Sequence, residues 1–129
     1  RPDLDGWAIA AHVAKAGERR LVADPARLDA VEGWTAPENP LWTRRAALVF
    51  TLPWSKLNHP LPEDLARRER ILGWAAAYAE EREWFLQKAL AWWLRSLGKH
   101  DPERVRAFLA EHGPKMRGFA RKDAARNLR

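Results

Sequence analysis

The sequence contains no cysteine, which excludes a disulfide scaffold and a thiolate metal site. Its four histidines, His12, His59, His100 and His112, show no ligand spacing. No metal and no cofactor are therefore expected. No apolar run approaches the roughly 18 residues that a membrane-spanning helix needs, and no secretory signal pattern is present. A glycine-rich phosphate loop and a nucleophile motif are also missing. No stretch alternates at period two, so no strand is expected. Glu80, Glu81 and Glu83 fall at a helix junction and do not form an acid/base pair.

What is present is basic and rich in tryptophan. The 129 residues suffice for one domain with a real core, here taken as residues 1–129. Net charge is +6 and the isoelectric point is about 10.3, a balance that suits an anionic partner. Eight tryptophans exceed what so short a core needs. Trp34, Trp54, Trp74, Trp84 and Trp93 are assigned to packing, and Trp7, Trp42 and Trp92 to an exposed working face.

The punctuation defines an all-α chain. Asp24-Pro25, Asn39-Pro40 and Asp101-Pro102 each put a capping side chain before a proline suited to the first helical position. Pro60 and Pro62 bracket a further start, while Gly17, Gly98 and Gly113 stand at expected helix ends. About seven helices are predicted, over 5–16, 25–34, 40–52, 62–80, 82–98, 102–112 and 117–127. Short connections favour antiparallel neighbours. Trp42-x-x-Arg45-Ala46 recurs as Phe85-x-x-Lys88-Ala89 and more loosely as Phe119-x-x-Lys122. Two helices per unit with a period of roughly 40 residues describe a HEAT-like α-solenoid.

A helical wheel divides the fifth helix into two faces. Leu86, Leu90, Trp93, Leu94 and Leu97 form a core stripe. Phe85, Lys88, Trp92, Arg95 and Lys99 point the other way, an arrangement suited to a sugar–phosphate backbone. The first helix divides likewise, with Ile9, Val13 and Ala16 opposite Trp7, Ala11, Ala14 and Lys15. On the third, Trp42, Arg45 and Val49 share a side. Basic residues concentrate on alternate helices and their trailing ends, whereas the intervening helices are mildly acidic as a group. A solenoid would place these two sets on opposite surfaces. The predicted nucleic-acid contacts are Arg44, Arg45, Lys88, Arg95, Lys99, Arg121, Lys122 and Arg126.

Three blocks carry a resemblance. Residues 33–48, from Gly33-Trp34-Thr35-Ala36-Pro37 to Arg45-Ala46-Ala47-Leu48, resemble AlkD-type DNA glycosylases of the bacterial DNA alkylation repair family. So do residues 84–95, Trp84-Phe85-Leu86-Gln87-Lys88-Ala89 onward, with Lys99-His100-Asp101-Pro102, and residues 121–128. The likeness implies a HEAT-like solenoid, of which this chain would be the C-terminal half. It also implies a basic concave face for double-stranded DNA and a cytoplasmic, nucleoid-associated setting. The implied chemistry is hydrolysis of the N-glycosidic bond of bases made cationic by alkylation, such as N3-methyladenine and N7-methylguanine, without flipping the base into a pocket.

By the same resemblance, Trp7 and Trp92 fall on the family's active-site tryptophans and Arg45 on its phosphate-contacting arginine. The family's tryptophan-x-x-x-aspartate motif reads Trp7-Ala8-Ile9-Ala10-Ala11 here. Ala11 stands at the catalytic aspartate position. A carboxylate there would stabilise the oxocarbenium-like sugar and orient water, and alanine does neither. Asp5 reads as an N-cap and His12 lies on another side of the helix. Three readings follow: an active glycosylase of alkylated DNA, a non-catalytic relative that binds damaged or structured DNA, and a HEAT scaffold for an acidic protein.

Overall fold

The computed structural model describes residues 25–128. The helix expected over 5–16, with Trp7, Ala11 and His12, lies outside the described residues. Among these, seven α-helices and two short 3-10 turns occur and no strand is found. A 3-10 turn at Pro25–Arg27 leads into α1 (Leu28–Gly33); α2 (Leu41–Val49), α3 (Leu52–Ser55), α4 (Pro62–Tyr78), α5 (Trp84–Gly98) and α6 (Pro102–His112) follow. A second 3-10 turn, Gly113–Lys115, precedes α7 (Gly118–Ala124). No described helix is long and apolar enough to cross a membrane.

The helix expected over 40–52 ends early, at Val49, and an unexpected short helix, Leu52–Ser55, follows it. Pro53 has no N–H to donate, and its ring would crowd the carbonyl four residues back. Thr51 sits at the break with φ −98° and ψ 6°. Its hydroxyl donates to the carbonyls of Ala47 at 2.8 Å and Leu48 at 3.0 Å, supplying donors to the end of α2 where the backbone ladder stops.

Two caps behave differently from one another. Asp101 caps α6, its carboxylate accepting from the Arg104 N–H at 3.2 Å, with Pro102 opening the helix. Asn39 does not cap α2; its amide instead donates to the Gly33 carbonyl at 2.8 Å, closing the loop after α1. At α4 the Asp64 carboxylate accepts from the Leu61 N–H at 3.4 Å.

Helix α5 is the hub. It packs against α2, α3, α4, α6 and α7. Leu86, Leu90, Trp93, Leu94 and Leu97 are each at most 1% exposed, as their spacing predicts. Burying an aliphatic or aromatic side chain of this kind is worth roughly 1.5–3 kcal/mol. The Trp93 indole N–H also donates to the Thr51 hydroxyl at 3.2 Å. Because neighbours surround α5, only a narrow strip of it reaches solvent, and that strip is where its polar chemistry collects.

A second buried device fixes the start of α5. Gln87 is fully buried. Its amide group donates to the carbonyls of Tyr78 and Ala79, each at 3.2 Å, and to that of Glu81. Its oxygen accepts the Arg117 N–H at 3.0 Å. One side chain thus ties the end of α4, the turn before α5 and the entry to α7.

Candidate functional site

Along the open strip of α5 lies a cleft of about 170 Å³. Arg45 from α2, Phe85, Lys88, Ala89, Trp92 and Arg95 from α5, and Asp123 from α7 line it. The spacing of Lys88, Trp92 and Arg95 at four and then three residues places them on one helical face. Trp92 is 37% exposed while Trp93 beside it is fully buried. Two adjacent indoles, turned about 100° apart, thus serve different surfaces of one helix.

The cations differ in how they are held. Arg45 lies with its guanidinium carbon 5.5 Å from the Trp42 ring centre. Partial burial lowers its pKa from the ordinary arginine value, yet it stays a cation at any physiological pH. A partly desolvated cation gains more from an incoming anion than one fully in water. The Lys88 ammonium sits 5.0 Å over the Trp84 ring. Arg95 is tied down, one nitrogen donating to both oxygens of Asp123 at 2.9 and 3.2 Å. Arg126 also reaches Asp123, at 3.3 Å.

Other predicted contacts are placed around or away from the cleft. Lys99, Arg121, Lys122 and Arg126 are exposed on the end of α5 and on or just beyond α7. Arg121 leans on the preceding turn, its Nε 3.0 Å from where a side chain at Gly113 would begin. Glycine at 113 makes that approach possible. Arg44 is not brought to this face. It is 9% exposed, bonded to Glu81 at 2.6 Å, with its guanidinium 5.1 Å from the Tyr78 ring centre. Consecutive helical residues are turned about 100° apart, so Arg45 and Arg44 serve different environments. The Tyr78 hydroxyl donates to the Arg44 carbonyl at 2.7 Å, and burial pushes its pKa up to about 12.

Beside the cleft runs a ribbon of four rings. Trp42 meets Phe85 at 5.3 Å, Phe85 meets Trp84 at 5.1 Å, and Trp84 meets Phe119 at 6.1 Å with planes 25° apart. Trp84, expected in the core, is 44% exposed. Its four-residue spacing from Lys88, and theirs from Trp92, was the signal that would have put it on the open strip. Asp123 and Arg117 were also missed as parts of this region; their contacts join separate helices, and no local spacing announces them. His59 is exposed, His100 bonds Asn58, and His112 packs on Phe108. No group of three potential metal ligands occurs among the described residues.

The fold and site together define an all-helical protein with a narrow cleft of cations and aromatic rings. The model of the DNA alkylation repair enzyme family matches residues 1–128, and the chain belongs to that family. Searches of curated proteins and of solved structures each gave no match.

Proposed function

We propose that this chain grips double-stranded DNA carrying alkylated bases through the cleft on α5, within a HEAT-like solenoid. The observation that supports this reading most is Trp92, partly exposed in the cleft that Arg45 and Lys88 also line. Arg45 and Lys88 would take phosphates, and the indole face of Trp92 would lie against a purine made cationic by alkylation, where ring quadrupole and positive charge attract. Lys99, Arg121, Lys122 and Arg126 would extend the contact along the backbone. As in the glycosylases it resembles, Trp7 would face the same lesion, and the reaction would be release of an N3- or N7-alkylated purine.

The carboxylate is the weak point of the chemical step. Ala11 supplies none. Asp123 lines the cleft, but the guanidiniums of Arg95 and Arg126 already draw on its charge. This favours a second reading, recognition of the lesion without excision. Release of methylated bases from alkylated duplex DNA decides between them, with the natural chain beside Ala11→Asp. Release by both establishes an active glycosylase that uses another group for the sugar cation. Release by Ala11→Asp alone establishes a binding scaffold that lacks one carboxylate. If neither releases bases nor binds DNA with steep salt dependence, the DNA reading fails and a protein-binding scaffold takes its place.

A further inference from the structure

The outer end of the aromatic ribbon does not belong to the cleft. Trp84 is 44% and Phe119 39% exposed, although large apolar rings gain by leaving water. They come from different helices, α5 and α7, yet lie with their planes only 25° apart. Each carries a cation: Lys88 is 5.0 Å from the Trp84 centre, and the Arg117 guanidinium is 5.2 Å from that of Phe119. The plate is firmly mounted. Arg117 donates its backbone N–H to buried Gln87 and a guanidinium hydrogen to the Arg82 carbonyl at 3.4 Å. Of the carboxylates on the elements that carry the plate, Glu83 is exposed beside Trp84, while Glu80 is paired with Lys115, Glu81 with Arg44 and Asp123 with Arg95.

An intact duplex has no use for such a plate, because its base faces are covered by their neighbours and only base edges and the backbone are offered. A base in a single-stranded gap is held in the stack less firmly and can swing out of it, which offers a free face. Paired rings with adjoining cations suit that ligand, the rings stacking the base and the cations meeting its phosphate. Lys88 lines the cleft and also sits over Trp84, so plate and cleft share a cation and a strand held in one would pass beside the other. We propose that Trp84 and Phe119 form a second nucleic-acid subsite, which stacks an unpaired DNA base next to the duplex held in the cleft. The proposal rests on the DNA-binding reading above.

The test compares the affinity of the full chain for an intact duplex and for the same duplex with a short single-stranded gap. The gapped DNA should bind on the order of tenfold more tightly for each base stacked. Phe119→Ala should remove most of that advantage while leaving the intact duplex unaffected, since Phe119 does not line the cleft and its cation is Arg117. Trp84→Ala should remove it too, with a smaller loss on the intact duplex because the ring under Lys88 goes with it. Trp84→Phe should retain most of it. Thermal melting establishes that each variant folds, and the Phe119 variant stands if the Trp84 one does not. Equal affinity of the natural chain for the two DNAs overturns the subsite alone. Equal weakening of both DNAs by the ring variants overturns it too, as does no effect on either, which would assign the plate to a protein contact. Failure to bind either DNA overturns the DNA reading and the subsite with it.

Discussion

The two sides of this molecule treat positive charge in opposite ways. On α4 and α6 the arginines are matched to carboxylates: Arg70 to Asp29 and Glu32, Arg104 to Glu69, Arg67 to Asp64 and Arg106 to Glu103. On the cleft side Lys88 and Arg117 rest over aromatic rings. A cation on a ring keeps most of its outward charge, whereas one forked onto a carboxylate has little left to offer. Arg95 and Asp123 bring the first habit into the second region. The comparison separates charge used to hold the fold from charge kept for a visitor.

The largest effect expected is on folding. Trp93→Ala empties a fully buried site on α5 and should cost about 3–5 kcal/mol by chemical denaturation. By contrast, Trp92→Ala next to it should alter stability little and DNA affinity much. The adjacent arginines sharpen the same contrast. Arg44→Ala removes a charge-assisted hydrogen bond to Glu81 and should cost about 1–3 kcal/mol of stability with little change in DNA affinity. Arg45→Glu should reverse that pattern, weakening duplex binding and lowering the slope of log affinity against log salt by about one for each phosphate no longer neutralised. If Arg44→Ala and Arg45→Glu act alike on DNA, the division between the two faces does not hold.

Smaller effects test the boundary cases. Asp123→Asn removes the negative charge from the cleft and releases Arg95, so duplex affinity should rise a few-fold in a salt-dependent manner. A fall would mean that Arg95 needs its carboxylate to stay in place. On the paired side, the hydrogen bond from Arg104 holds the Glu69 carboxyl below its ordinary value of 4.5. A lowered folded-state pKa means stability that is present above 4.5 and lost as pH falls through the lower value. Glu69→Gln should flatten that acid limb slightly in denaturation measured against pH, with no effect on DNA binding, because the pair is largely exposed to solvent.

Much of this was legible from spacing. The wheel of α5 separated Trp92 from Trp93 and identified the buried leucines, since a helix packed on most sides but open along one strip shows its period. Asp101-Pro102 announced the start of α6. What was not legible is non-local or depends on what a side chain prefers. Asn39 had two ways to use its amide and chose the Gly33 carbonyl over a cap. Arg44 and Arg45 are the same residue type in sequence, and only the position of Glu81 across the fold distinguishes them. The stop before Pro53 was readable, but the early end at Val49 and the short helix that Pro53 helps to open were not. Asp123 counts as a single negative charge in the sequence and becomes a cleft residue only when α7 packs on α5.

The Gln87 clamp has a kinetic meaning. Its hydrogen bonds join the end of α4, the turn before α5 and the Arg117 amide into one unit, so these should open together and not separately. In amide hydrogen exchange, Arg117 would be protected although it precedes a helix of only seven residues, and its exchange would track that of the buried centre of α5. Gln87→Leu would uncouple them, and the Arg117 amide would exchange faster than the centre of α5.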